Sequence, residues 1–502
     1  MRPLTRLLAA DRSPLAIFPL VLTAYFALHV LVRLVLPTTL EHDEAQQVFV
    51  SQFLALGYDG QPPLYNWLQN LVFEIFGVSR AALSILKNGL LLATYLLTWM
   101  TARQLLQNRA LAVVATLGLL TLPQLGFESQ RDLTHTVAAF FSVALFFYAL
   151  VRTVRHPSLP GYVLTGVAIG LGVISKYNIV LLPVAACLAM LLDRDVRRYV
   201  LDVRILATMA TAALIVLPHA VWFLHNMEAA TSTTLAKMTS DTSYFKAISM
   251  GIGSYLVAIL GCVALTLLCF SLTFRRPLRA AIKAESNWMR LVERIFIIIA
   301  VALLLIILFG GVDSIRDRWL SPYTLVFPLY LCLKIEAAGA DRPDAMEGFF
   351  RLAILFMVAI PTILLLRITT AGLTGEYQYI NAPFEGLSRD IDARASSPSL
   401  FVAEETHVAG NLHLQRPDVP AAALTYPQFA PSFTLTQEHP IVLVWRERKG
   451  RTPPPMPSDL SDWLDRNTGP NARIERHTLT LPQLYGRAED TYSFGYAIAY
   501  PH

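Results

Sequence analysis

The chain has 502 residues, 54% of them hydrophobic and only 15% charged, with a formal net charge of +5. A soluble domain carries about a quarter charged residues, so a water-soluble globular class is excluded, and no basic run marks a nucleic-acid binder. The apolar residues come in blocks of about 20 broken by short polar segments, the pattern of a polytopic α-helical membrane protein; a β-barrel alternates over segments of about ten.

In chain order the blocks predict about 11 transmembrane helices: 15–36, 82–100, 110–125, 133–151, 162–174, 179–192, 205–223, 250–274, 295–310, 319–333 and 352–366, the third, fifth, sixth and tenth of them short. Arg2, Arg6 and Arg12 precede the first block, and the alternate loops 103–109, 152–156, 194–204, 275–294 and 334–351 are rich in Arg or Lys. The intervening loops carry few basic residues: Arg131, Lys176, Lys237, Lys246, Arg316 and Arg318. The positive-inside rule puts the N-terminus in the cytoplasm and, with an odd number of spans, the C-terminus outside. The first block is longer than a signal-peptide core and no small-x-small site follows it, so it reads as a retained helix. Cys187, Cys262, Cys269 and Cys332 all fall inside apolar blocks, with neither a disulfide framework nor a metal-ligand spacing.

The first external loop predicts two interfacial helices. Thr38 with Glu41 fits a capping box, and Ala45, Val48, Phe49, Gln52, Phe53 and Leu56 share one face of the helix that follows, which Gly57 stops. After the turn Tyr58-Asp59-Gly60-Gln61, Pro62-Pro63 opens a second helix that ends at Gly77. Both are too polar to span and suited to lie on the outer membrane surface.

Beyond Arg367 the chain turns Pro-rich and more polar. Short strand-like runs at 399–403, 421–425, 441–445, 473–479 and 493–499, with helical stretches at 384–395, 406–415 and 458–466 and a Pro-rich loop at 451–457, predict a small external α/β domain. The division is thus a transmembrane domain over 1–368 and an external domain over 369–502.

Ionisable groups gather at the external helix ends: Glu41-His42-Asp43-Glu44 in the first loop, Glu128 to Asp132 in the second, Lys176 in the third, His219, His225 and Glu228 in the fourth, and Asp313 to Arg318 in the fifth. Charge at a low-dielectric boundary is paired or functional as a rule. Acids for proton transfer, with Arg and Lys to hold an anion, are what group transfer from a phosphate-linked donor needs. Each group also has a plainer reading. Asp43 and Glu44 in a first helical turn gain about 0.3–1 kcal/mol from the helix dipole. Arg131 could pair with Asp132, and Lys176 could snorkel from a helix end. Tyr58, Tyr65, Trp67 and Trp222 fit an interfacial aromatic belt, although sugars also stack on such rings.

Four segments in order, "HDEAQQVFVSQFLALGYDGQPPLYNWL", "ESQRDLTHTVAAFFSVALFFYAL", "GLGVISKYNIVLLPV" and "RDRWLSPYTLVFPLYL", resemble the bacterial polyprenyl-phosphate-sugar glycosyltransferases, relatives of the protein O-mannosyltransferases and of the lipid A aminoarabinose transferase. The likeness covers roughly the first 340 residues and implies a type C glycosyltransferase fold in the inner membrane. It also implies transfer of a sugar from a polyprenyl-phosphate carrier to lipid A, lipopolysaccharide core or another envelope acceptor at the periplasmic face; the sequence itself calls for no divalent metal and leaves metal dependence open. Carried over residue by residue, it implies that Asp43 is the essential acid, with Glu44 beside it and Asp132 as a second acid. Arg131, Lys176 and Arg318 are then cations for the donor; from their places in the external loops Arg316, Tyr58 and Gln61 are further candidates for donor binding. The aminoarabinose enzymes carry Lys before Pro where this chain has Gln61-Pro62, so the sugar (galacturonate, aminoarabinose or a neutral hexose) is left open.

Chemistry supports the same roles. An acceptor hydroxyl needs a carboxylate to take its proton, for which Asp43 is the choice. A lipid phosphate leaves without protonation if cations meet the growing charge, for which Arg318 and Lys176 come first and Arg131 third. One displacement at the anomeric carbon gives inversion. The alternatives are a protein O-glycosyltransferase of the same fold, a transporter or flippase of lipid-linked solutes, and a non-catalytic scaffold. The transporter reading expects charges near the midplane and repeated halves; most charges here sit at helix ends and no repeated half is visible.

Overall fold

The computed structural model describes residues 14–58, 60–239, 243–281, 283–395, 397–447, 455–468 and 472–501. Arg2, Arg6 and Arg12, which orient the chain, Asp59 of the first-loop turn, and 451–454 of the Pro-rich loop lie outside the described residues.

Among the described residues seven helices are long and apolar enough to cross a membrane: Ile17–Val35, Arg80–Leu105, His135–Arg155, Ile205–His225, Tyr244–Arg275, Asn287–Gly310 and Pro343–Thr369. The remaining four predicted blocks are the short ones, and none is one straight, full-length helix. Arg109–Thr121 and Gln124–Arg131 are bent by 73° and together would make an eighth span. Pro123 sits in the break, and a Cβ on Gly126 would stand 2.5 Å from the Leu120 carbonyl oxygen, so the fold-back needs glycine there. Leu159–Val173 and Tyr177–Leu191 are apolar but short, and the tenth block, 319–333, splits into Asp317–Thr324 and Phe327–Ala337, with Pro322 in the first piece and Pro328 opening the second. A helix at Met227–Met238, within the fourth loop, carries no strong apolar period and was not expected.

The chain packs as two compact units. The first comprises the described residues of Met1–Ala27, Ala55–Tyr65 and Lys87–Ile360, and the second Leu28–Leu54, Asn66–Leu86 and Pro361–His502. The C-terminal α/β segment thus shares one body with much of the first loop.

In the second unit, β1 (Leu400–Ala403), β2 (Ala421–Ala423), β3 (Ile441–Arg446), β4 (Arg473–Pro482) and β5 (Thr491–Tyr500) form one sheet in the order β2-β1-β3-β5-β4. β1 pairs parallel with β2 and β3, while β5 runs antiparallel to β3 and β4. The inner strands β1 and β3 are buried along continuous apolar runs, whereas edge strand β4 alternates toward solvent with period two. Leu443, Trp445, Leu460, Leu464 and Ala497 share one of its cores. All five strands and the helices Phe384–Arg394, Thr406–Gln415 and Ser458–Thr468 lie where the sequence predicts them.

The first loop corrects two expectations. Its first helix is His42–Val50, and the N-cap is Glu41, in a reciprocal capping box with Glu44. Thr38 is not the cap, because the extended backbone that opens the helix is that of Glu41, and the preceding residues are bonded elsewhere: the Thr39 hydroxyl donates to the Ala382 carbonyl at 2.6 Å. Nor does this helix lay its apolar face on a bilayer. Ala45, Val48 and Phe49 are buried, and the face meets the Thr406–Gln415 helix so closely that a Cβ on Gly410 would fall 2.0 Å from the Ala45 carbonyl oxygen. The second helix, Leu64–Phe76, keeps Leu71, Ile75 and Phe76 exposed.

Candidate functional site

In the second unit, Asp43 and Glu44 occupy the first turn of the His42–Val50 helix, with unlike surroundings. Glu44 is 3% exposed and accepts from Arg33 Nη2 at 2.9 Å and Arg33 Nε at 3.2 Å. The same guanidinium donates to the Pro37 carbonyl at 2.9 Å and the Thr39 carbonyl at 3.0 Å. Arg33 ends the first long helix, so its planar fork ties that helix to the loop and to the turn carrying Asp43. Glu44 therefore has a buried structural partner in Arg33. The Asp43 side chain is 33% exposed, with His42 Nδ1 4.0 Å from its carboxylate, at the positive end of the helix dipole.

Thr39 and Leu40 are held from the C-terminal part of the same unit. The Leu40 N–H donates to Asn411 Oδ1 at 2.8 Å, and its carbonyl accepts from His407 Nε2 at 3.0 Å. Farther along, Gln52 exchanges two hydrogen bonds with the Ala421 backbone, accepting its N–H at 2.8 Å and donating to its carbonyl at 3.2 Å. These partners were not singled out from the sequence. The available signal was weak: polar His407 and Asn411 four residues apart in an otherwise compact, small-residue helix.

In the first unit, Lys176 and Arg318 come together. The Lys176 side chain is buried, and its ammonium donates to Thr136 Oγ1 at 3.0 Å and to the Arg318 carbonyl at 2.8 Å. Next to it Asn178 Nδ2 donates to the Trp319 carbonyl at 2.7 Å, and the Tyr323 hydroxyl donates to the Asn178 carbonyl at 2.5 Å. The third and fifth loops are thus stitched to each other and to the start of the His135–Arg155 helix. The Arg318 backbone N–H donates to Asp317 Oδ1 at 2.7 Å, and Asp317 Oδ2 accepts from Gln124 Nε2 at 2.8 Å. Among the described residues the half-buried Arg318 guanidinium has no ion pair or hydrogen bond. Arg316 stands 6.0 Å from the Trp319 ring, the outer limit of a cation–π contact.

The second loop differs from expectation. Arg131 pairs with Glu128 at 2.8 Å, one turn back, rather than with its neighbour Asp132. Asp132 ends that turn, its N–H bonded to the Glu128 carbonyl at 3.1 Å. Gln130 Nε2 donates to Asn88 Oδ1 at 2.9 Å. Beside Asn88, Lys87 is 3% exposed within an apolar helix; a buried intramembrane cation marks function by default, and a single Lys inside an apolar block carries no motif that points to it. Tyr58 is buried and its hydroxyl accepts the Ala55 N–H at 3.3 Å, while Gln61 is half-buried. The Leu64 N–H donates to the Ile174 carbonyl at 2.9 Å, and His219 contacts both the Tyr177 hydroxyl (3.1 Å) and the Leu56 carbonyl (2.8 Å). These bonds join 55–65 to the Lys176 loop.

Residues 60–222 match the family model described as dolichyl-phosphate-mannose-protein mannosyltransferase. The chain is 44% identical to the lipopolysaccharide core galacturonosyltransferase RgtB of Rhizobium johnstonii, over 95% of this chain and 96% of that one. It is 40% identical to the lipopolysaccharide core galacturonosyltransferase RgtA of the same organism, over 96% and 97%. Among solved structures, that of ArnT from Cupriavidus metallidurans bound to undecaprenyl phosphate aligns over 97% of this chain and 98% of that one, with a TM-score of 0.59 at 12% identity, a likeness of fold. Seven long apolar helices, a C-terminal mixed sheet and near full-length similarity agree: the chain is a glycosyltransferase of the type C fold and belongs to the polyprenyl-phosphate-sugar glycosyltransferase family that includes the lipopolysaccharide core galacturonosyltransferases.

Proposed function

We propose that this enzyme transfers a galacturonic acid residue from a polyprenyl-phosphate carrier to lipopolysaccharide core at the periplasmic face of the inner membrane, with inversion. The observation that carries the reading is the 44% identity, along nearly the whole chain, to a lipopolysaccharide core galacturonosyltransferase. The N-terminus lies in the cytoplasm and the 369–502 domain in the periplasm, on the strength of the basic-residue bias. The exposed Leu71, Ile75 and Phe76 strip fits the Leu64–Phe76 helix to the outer membrane surface.

In this reaction the acceptor hydroxyl oxygen attacks the anomeric carbon, the bond from that carbon to the carrier phosphate oxygen breaks, and the hydroxyl proton passes to Asp43. Asp43 fits the role better than Glu44 because its carboxylate is partly open while Arg33 occupies the other. Arg318, free of protein anions among the described residues, meets the charge growing on the departing phosphate. Lys176 serves mainly to shape the loop that presents Arg318. Asp132 and Arg131 stand as a second acid and a third cation, and Arg316, Tyr58 and Gln61 complete the donor side. Purified Asp43→Asn protein should insert and fold while losing at least about a hundredfold in turnover, the low end for a lost general base. Near-normal turnover would return Asp43 to a helix-dipole role. Because the matched family model is named for a protein mannosyltransferase, the assay should include protein beside glycolipid acceptors.

A further inference from the structure

The acid that the proposed reaction depends on is placed from the C-terminal domain. Leu40 lies three residues before Asp43, and neither of its backbone polar groups is satisfied by the helix it precedes. Its N–H is taken by Asn411 Oδ1 and its carbonyl by His407 Nε2. The two side chains sit one turn apart on the Thr406–Gln415 helix and brace each other, since Asn411 Nδ2 donates to the His407 carbonyl at 2.8 Å. Both are fully buried. Because a carbonyl can only accept, Nε2 must carry a proton, and a neutral His407 ring is therefore the Nε2–H tautomer. Around this point Thr39 donates to Ala382, the Ala45 carbonyl meets Gly410, and Gln46 bonds the Tyr426 hydroxyl.

We propose that His407 and Asn411 are positioning residues of the transfer reaction: by holding both backbone groups of Leu40 they set where the His42–Val50 helix begins, and so where the Asp43 carboxylate points. A helix of nine residues has little rigidity of its own, and its start is where a one-residue slip would turn Asp43 away by about 100°. On this view the C-terminal domain is part of the catalytic apparatus without touching substrate. The inference rests on Asp43 being the base.

The test is steady-state kinetics on full-length protein in lipid, with a galacturonyl polyprenyl phosphate as donor. The variants are His407→Phe, His407→Gln, Asn411→Leu and, as a control of comparable destabilisation, Leu464→Ala in the core behind β3. His407→Phe and Asn411→Leu should lower kcat by about tenfold to a hundredfold, the scale of a misplaced reacting group, with donor KM changed less than about threefold. His407→Gln, which keeps an N–H within reach of the Leu40 carbonyl, should recover most of the loss, and Leu464→Ala should melt earlier with kcat kept. If His407→Phe does not fold, the milder Asn411→Ser carries the same readout. The proposal is overturned if the clamp variants behave like Leu464→Ala, melting earlier at undiminished kcat, or if His407→Gln is as slow as His407→Phe. Asp43→Asn in the same panel separates the two claims. Normal turnover there removes the base itself, whereas an inactive Asp43→Asn beside fully active clamp variants removes only the positioning role.

Discussion

Arg318→Lys tests the donor side of the reaction most sharply, because the structure separates its two possible effects. If Arg318 stapled its own loop by pairing with Asp313 or Asp317, replacing it would cost stability. Instead Asp317 is satisfied by Gln124 and by the Arg318 backbone N–H, and the loop is held by Lys176 and Asn178 on the carbonyls of Arg318 and Trp319. None of these bonds uses the Arg318 side chain. Its replacement should therefore shift stability by no more than about 0.5 kcal/mol, as for an ordinary surface change. Lys keeps the charge but loses the two parallel N–H groups that match a phosphate. Losing one preorganised charge-stabilising donor costs about 2–4 kcal/mol in the transition state, which is roughly 30- to 900-fold in turnover. The assay is single-turnover transfer of labelled sugar, with carrier-lipid affinity and melting temperature measured on the same sample. Turnover and donor affinity should fall together while melting and acceptor affinity hold. Unchanged donor affinity with a lowered melting point would refute the phosphate role.

Lys176→Met should show the opposite balance: it removes two hydrogen bonds from a buried ammonium and strands the Arg318 carbonyl, so the melting temperature should drop by the equivalent of about 2–4 kcal/mol, read by thermal unfolding in detergent. Burial pushes His407 down to about 4, so the unfolded chain takes up a proton near pH 6.5 that the folded one refuses. Stability of the C-terminal domain should thus be full above that pH and fall, by at most about 3 kcal/mol, as pH drops toward 4, with His407→Gln flattening the dependence in pH-stepped unfolding. Alkaline phosphatase fused after Gly372 should be active, and a fusion within 275–283 inactive; silence of the first would mean that the chain crosses the membrane an even number of times before that point.

Most of the fold was legible because bilayer thickness and sheet pleating impose strong periods on the sequence. The seven long helices and the five strands follow from apolar run length and from turn residues. The breaks were visible only as shortness, since a bend at Pro123 and Gly126 depends on which carbonyl the chain folds against. The site was legible as residue types but not as partnerships. Asp43 and Glu44 are adjacent in sequence and indistinguishable by charge, and only Arg33, eleven residues before Glu44, separates them. Arg131 chose Glu128 over Asp132 because the helical turn sets them three residues apart on one face. The attachment of the C-terminal segment to the first loop was out of reach, because the bonds from Leu40 to His407 and Asn411 span more than 360 positions and carry no local pattern.

The central claim is that this protein moves an acidic sugar from a lipid phosphate to a lipopolysaccharide acceptor, and reconstitution tests it most directly. Purified enzyme in vesicles would be given galacturonyl polyprenyl phosphate, labelled in the sugar, with lipopolysaccharide from a deletion strain as acceptor, and the products resolved by mass spectrometry. The account expects core oligosaccharide heavier by one hexuronic acid, label recovered there, and polyprenyl phosphate released in equal amount, with Asp43→Asn giving none of these. Label found on protein, label carried across the membrane still attached to its lipid, or transfer only from a neutral-sugar donor would contradict it.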